Sequence, residues 1–299
     1  MATPSVVVGF DGSPSAHTAL CWAMDEATRH GAPVRLVYAL EPRPGATSPT
    51  PGKHPGSGER RRAQTMLAEA ATEAAHSHRS VEVTRVVLDG PAAAVLCEQS
   101  RDARMLMLGA RGRDGFAGLL VGSVSLAVAA HAHCPVIVIR DTEPTPAQGR
   151  PVVVGVDDSP QAQPAIGFAA EEAAARGVGL LAVHAWTPPP TPWCADVRPL
   201  VADMTDLQAT EEQVLTAALH GWSDKHPTVP MAGRLVPHDA RYVLAVASRD
   251  AQLVVVGRRA TSGPHGVRLV SQYLLHHAAC PVAVVPDDVR LGTVAVPAS

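Results

Sequence analysis

Aromatic side chains are scarce: they make up 3% of the 299 residues, although 46% are hydrophobic. A core short of Phe, Tyr and Trp must be filled by Ala, Val and Leu, which suits thin layers of helix laid on strand. Neither sign of charge dominates, since 25 Lys and Arg face 28 Asp and Glu for a net −3. No global positive field recruits nucleic acid. The one dense basic run, Arg60-Arg61-Arg62, reads as a solvated helix start rather than a phosphate grip. Cysteine pairs are missing too. Cys21, Cys97, Cys134, Cys194 and Cys280 are odd in number and contain no Cys-x-x-Cys, which argues against a disulfide framework or a zinc knuckle. The longest weakly polar stretch, Phe116 to Ala130, includes two serines and falls short of the roughly 18 residues of a membrane span. No basic leader precedes the first strand pattern, SVVVGF, so a soluble cytoplasmic protein without a membrane segment is expected.

What the chain does have is a copy of itself. VVVGFDGSPSA at Val6 to Ala16 aligns with VVVGVDDSPQA at Val152 to Ala162. SRDARMLMLG is answered by SRDAQLVVVG, and CPVIVIR by CPVAVVP, in the same order. Order-preserving similarity over such distances means a duplicated domain, not a short solenoid repeat. The expected domains are 1–143 and 150–286, with 287–299 as a C-terminal extension. The polar segment DTEPTPAQGR, Asp141 to Arg150, serves as linker.

Each half alternates strand and helix. After Val6 to Val8 come Ser13 and Pro14, an N-cap hydroxyl followed by a residue with no amide to leave unpaired. The helix then places Ala16, Ala19, Leu20, Ala23 and Ala27 on one face and stops at Gly31. VRLVYAL, VEVTRVVL, MLMLG and PVIVI are the remaining strands of the first half, and LLAVHAW is the second strand of the other. Near-continuous apolar strands alternating with helices imply an α/β fold, each domain an open, doubly wound parallel sheet with helices on both faces. Ligands of such sheets gather at the strands' carboxyl ends, where strand order reverses.

Two strand-end features converge there. One is Asp11, after VVVGF. The other is GARGRDGFAGLLVGSVS, Gly109 to Ser125, which follows a buried strand and opens a helix at Gly122-Ser123. Glycine at a helix entrance lets an anion touch main-chain amides at the positive end of the helix dipole, and Ser123 and Ser125 add hydroxyl donors. Arg111 and Arg113 lie in the same loop and could face phosphate or water equally well. A Walker loop, Gly-x4-Gly-Lys-Ser/Thr, is absent, as is a Gly-x-Ser-x-Gly nucleophile elbow.

Gly109-x2-Gly112-x9-Gly122-Ser123, taken with VVVGFDGS, the repeat and HCPVIVIR, resembles the ATP-binding class of the universal stress protein family in its tandem form. The resemblance covers nearly the whole chain. It implies five-stranded parallel sheets in order 3-2-1-4-5, domains paired along their last strands, a homo-oligomer, and ATP with Mg²⁺ held without a P-loop. Its nucleotide contacts carry over to Asp11 with the Gly9 and Phe10 backbone. They also fall on Ala39 after the second strand, and on Leu108, Gly109, Gly112, Gly122, Ser123, Val124 and Ser125. No catalytic residue carries over, and no metal ligand from the protein does. The expected activity is nucleotide-dependent regulation or association in a stress response, with at most weak ATP hydrolysis. A nucleotide-independent interaction scaffold and a slow ATP hydrolase are the alternatives.

The second copy departs from the pattern. Its loop, GRRATSGPHGVRLVSQ, is two residues shorter; Ala260 replaces Gly112, Arg268 falls at Gly122 and Leu269 at Ser123, while Asp157, Gly257 and Ser271 persist. A degenerate, nucleotide-free partner domain is expected, with Arg268 filling the phosphate position; Arg268 as a direct ligand for a smaller anion or a differently bound nucleotide is the alternative. His131, His133, Cys134, His276, His277 and Cys280 cluster before the last strand of each half. They read as helix-end and packing residues in preference to metal ligands. Trp22, Trp186 and Trp193 read as packing anchors. The Pro/Gly-rich loops after each second strand could close as lids, and RLGTVAVPAS could pair with a neighbour.

Overall fold

The computed structural model describes residues 3–41, 57–112, 120–140, 149–157, 159, 162–187, 201–258 and 269–287. The first repeat runs β1 (Ser5–Gly9), α1 (Pro14–His30), β2 (Val34–Leu40), α2 (Ser57–Ser77), β3 (Val83–Asp89), α3 (Ala92–Gln99), β4 (Ala103–Gly109), α4 (Ser123–His131) and β5 (Val136–Ile139). The second runs β6 (Val152–Val156), α5 (Ala162–Arg176), β7 (Leu180–Ala185), α6 (Val201–Leu219), the short α7 (Trp222–Lys225), β8 (Met231–Val236), α8 (Ala240–Ala247), β9 (Leu253–Gly257), α9 (Leu269–His277) and β10 (Val282–Val285).

The chain forms two compact units, Met1–Pro146 with Cys280–Val284, and Ala147–Ala279 with Val285–Ser299. In the first, β3-β2-β1-β4-β5 lie side by side and parallel, the order 3-2-1-4-5. β10 completes that unit's sheet antiparallel to β5, with Val284 opposite Val136. In the second unit β8-β7-β6-β9 are parallel and repeat the first four places of the same order.

The central strands are apolar on both sides because helices cover both sides. Val6, Val7 and Val8 of β1 and Met105, Leu106 and Met107 of β4 are all fully buried. Successive residues at the end of β1 show the two layers: Gly9 lies against Leu96 of α3, while the Phe10 ring meets His17 of α1 edge-on, centroids 4.9 Å apart. α1 and α2 therefore cover one face, and α3 lies on the other with α4 packed beside it.

α1 is built by its ends. Ser13 is extended and its hydroxyl accepts from the Ala16 amide at 3.2 Å, Pro14 stands at the first helical position, and Gly31 at φ 59° closes the last turn. The face carrying Ala16, Ala19, Leu20, Ala23 and Ala27 is buried, and so is Trp22. β1 leads to β2 on one side, while β4 lies on its other side, so the order reverses between β1 and β4. The crevice of a doubly wound sheet opens at that reversal.

Candidate nucleotide site

The β1 end is a tight, prearranged turn. Asp11 Oδ1 accepts the Ser13 amide at 2.9 Å, an Asx turn that delivers the chain to the α1 cap. Gly12 sits at φ 81°, a left-handed conformation that favours glycine. The Ser13 hydroxyl also reaches across to the Arg111 carbonyl at 3.3 Å and so ties the β1 turn to the loop after β4. Residues nearly a hundred positions apart in sequence thus form one floor, a contact that no local pattern announces.

The three glycines of the motif have different environments. A β-carbon at Gly109 would lie 2.5 Å from the Ser15 carbonyl carbon and 2.6 Å from its oxygen, so Gly109 is glycine because α1 begins against β4. At Gly112 a β-carbon would stand 3.0 Å from Asp11 Oδ2. At Gly122 it would meet the Ala110 oxygen at 3.5 Å and the Gly112 nitrogen at 3.9 Å, both ordinary contacts. Of the three, Gly122 is the position where a side chain has room.

Gly122 is the N-cap of α4 and, among the described residues, no side chain caps that helix. Its own amide donates to the Ala110 carbonyl at 2.7 Å, and the first helical bond runs from the Leu126 amide to the Gly122 carbonyl at 3.2 Å. The amides of Ser123, Val124 and Ser125 consequently have no acceptor within the helix. Ser123 is exposed, Val124 half-buried and Ser125 buried. The Ser125 hydroxyl donates to the Gly109 carbonyl at 2.9 Å and so holds α4 to the end of β4. Ala39 also differs in detail. It lies within β2 rather than after it, opposite Leu88. Leu108 is buried, and the Phe10 amide belongs to the ladder, bonded to the Val37 carbonyl at 2.9 Å.

The second unit keeps the frame and changes the floor. Asp157 again accepts the Ser159 amide, at 3.1 Å, but here the serine hydroxyl turns back onto the same aspartate oxygen. Arg258 follows β9 at the position that buried Ala110 holds after β4, and both amides bond to the end of the last strand. His184, at the position of Tyr38, is buried. Its Nδ1 is 2.8 Å from the Val156 carbonyl and its Nε2 2.7 Å from Glu211 Oε2, so the ring braces β6 and β7 to α6. Sequence reading passed over His184 and Arg258, although a lone polar residue in LLAVHAW breaks an apolar strand. Ala260, Arg268, the lid loops, the linker core 141–148, Arg113, Trp193, Cys194 and the segment 288–299 lie outside the described residues.

The remaining expected bystanders have structural work. Arg60 is paired with Asp89 and donates to the Val87 carbonyl at 3.0 Å. His131 Nδ1 is 2.8 Å from the Ala127 carbonyl of its own helix, and His277 packs against Tyr273 with centroids 4.2 Å apart. Burial, chiefly, pushes the Cys134 thiol up to about 12. At pH 8 only about one molecule in ten thousand would carry that thiolate. Cys134 is therefore expected to resist iodoacetamide at pH 8 in the native protein and to react after denaturation, read by peptide mass spectrometry. Native labelling as fast as a free thiol would place it at the surface.

Among the described residues no helix is long and apolar enough to cross a membrane. The Universal stress protein family profile matches residues 3–140 and again 149–286. The chain is 34% identical over 312 residues to Universal stress protein Rv1996 of Mycobacterium tuberculosis, covering 95% of this chain and 96% of the relative. It is 34% identical over 291 residues to Universal stress protein Rv2005c of the same organism, covering 93% and 96%. A universal stress protein structure from Archaeoglobus fulgidus superposes with a TM-score of 0.67 at 16% identity, over 95% of this chain and 97% of the other, which shows the fold. With two matched domains and relatives of this identity across nearly its whole length, the chain belongs to the universal stress protein family.

Proposed function

We propose that the first domain binds ATP, and that nucleotide occupancy changes the shape or association of the protein in a cytoplasmic stress response. The observation that carries this reading is the uncapped entrance of α4. Three first-turn amides lack helical acceptors, and Gly122 leaves room for an anion to approach them. The residues fit the group. Ser123, Val124 and Ser125 would receive phosphate through their amides, Ser123 with its exposed hydroxyl as well. The strand ends at Gly9, Phe10, Asp11 and Ala39 would form the nucleoside side, and the phosphates would themselves carry Mg²⁺. Bound ATP supplies charge and adenine surface; this chain's part is to orient it, with Asp11 and Ser13 holding the floor rigid.

The second domain serves as a nucleotide-free partner in this reading, and homo-oligomer formation is the expected output. Its serine hydroxyl is turned inward, Arg258 stands where Ala110 stands, and the buried His184 braces the sheet beneath. Native mass spectrometry of the full chain with excess ATP is expected to count one nucleotide per chain. A count of zero defeats the proposal, and a count of two defeats the assignment of the second domain.

A further inference from the structure

The middle glycine of the motif has a partner inside the protein. A β-carbon at Gly112 would come 3.0 Å from Asp11 Oδ2, and no other described atom outside its chain neighbours lies within 4 Å of it. That separation is tighter than ordinary van der Waals contact, so with a methyl there the carboxylate must give by a few tenths of an ångström. Asp11 cannot yield without cost, because its Oδ1 already accepts the Ser13 amide at 2.9 Å. Ser13 in turn bridges to the Arg111 carbonyl, the residue next to Gly112. Asp11, Ser13, Arg111 and Gly112 are one closed circuit across the crevice floor.

The second repeat is a natural comparison. It has Ala260 where the first has Gly112. Its aspartate makes the same amide bond, but the Ser159 hydroxyl donates to Asp157. The first repeat's serine spans the crevice floor and the second repeat's serine is folded in.

We infer that Gly112 is a positioning residue that acts through Asp11. By lacking a side chain it seats the Asp11 carboxylate against the loop, keeps the Ser13 hydroxyl on Arg111, and fixes the floor on which a nucleotide rests. This deepens the nucleotide reading and rests on it for its binding effect, though the seat itself exists without ligand. Gly122, by contrast, faces the ligand directly. The two glycines are thus expected to couple differently to Asp11.

The test is a double-mutant cycle on the full chain, read by ATP calorimetry. Gly112→Ala is expected to weaken ATP about tenfold in the native background and less than about twofold beside Asp11→Ala, a coupling of about 1 kcal/mol. Equal losses in both backgrounds would mean that the methyl meets the nucleotide itself, and would overturn the inference. Thermal melting of Gly112→Ala should fall by no more than about 1–2 °C, the small cost of shifting Asp11 at an exposed position. A second arm needs no ligand. The crystal structure of Gly112→Ala should show the Ser13 hydroxyl swung from Arg111 onto Asp11, the arrangement of Ser159; an unmoved Asp11 and Ser13 sinks the proposal even if binding falls below detection. Failure of the native chain to bind ATP would remove the nucleotide reading, and the position of the Ser13 hydroxyl in Gly112→Ala would then decide the role of Gly112 by itself.

Discussion

Gly122→Asp is expected to abolish ATP binding while leaving the fold slightly more stable than before. The backbone at Gly122, φ −77° and ψ 155°, is extended and open to any residue, and a β-carbon there makes only ordinary contacts. Aspartate at an N-cap accepts from first-turn amides and suits the helix dipole, a gain of about 0.5 kcal/mol over glycine. The melting transition of the first domain should therefore rise by about 1–2 °C. The same carboxylate would occupy the amides proposed to receive phosphate and repel the anion. A loss of at least a thousandfold in affinity, about 4 kcal/mol, is the expected reading in calorimetry. Gly122→Arg separates steric closure from charge, since arginine keeps the local field attractive to phosphate. If close backbone approach is the grip, arginine too should lose about a hundredfold. Native affinity in either variant would show that the α4 entrance is not where the nucleotide is held.

That pair of substitutions tests the helix entrance, where glycine stands at the N-cap, a feature the sequence displays openly. Ser13-Pro14 and Gly31 could likewise be read as the two ends of α1 because capping is a local transaction between a side chain and amides a few residues away. The sheet order was legible for a different reason. The strands' apolar runs require cover on both faces, right-handed crossovers restrict how they connect, and the motif's family resemblance supplied 3-2-1-4-5, the order found in the first unit.

The roles of the individual glycines were not legible. Gly109, Gly112 and Gly122 look alike in sequence and form one motif, yet one is pressed by Ser15, one by Asp11 and one by nothing closer than ordinary contact. What Gly109 and Gly112 exclude is decided by Ser15 and Asp11, about a hundred positions earlier and brought near by β1 and β4 pairing, whereas Gly122 meets only its own loop at Ala110 and Gly112. Ser125 shows the same limit: the sequence does not announce that its hydroxyl donates to the Gly109 carbonyl 2.9 Å away. In the second repeat the departures at Ala260 and Arg268 are visible in the sequence alone. The His184 brace is not, because its partner Glu211 sits on a helix whose register against β7 is set only by tertiary packing.

Gly109→Ala is expected to destabilise the first domain more than any other change in the loop. The added methyl would lie 2.5 Å from the Ser15 carbonyl carbon and β-carbon and 2.6 Å from the carbonyl oxygen, so the obstacle is largely backbone within the first turn of α1. Relief requires α1 to retreat from β4 by roughly 1 Å, the shortfall from a normal carbon–carbon contact. Ser15 is buried, and the Ala16 amide beside it is bonded to the Ser13 cap, so the retreat loosens packing and cap together. Overpacking of this kind against backbone costs about 3 kcal/mol. For a domain of this size the first unfolding transition should fall by roughly 6–12 °C in calorimetry. The second domain's transition should stay where it is, and so should the first in Gly122→Ala, whose β-carbon has room. ATP should then weaken in Gly109→Ala only as a consequence, because the displaced α1 carries Ser13 away from Arg111. A variant that melts with the native protein yet fails to bind would reverse the assignment, making Gly109 a direct contact for the nucleotide and the closeness of Ser15 incidental.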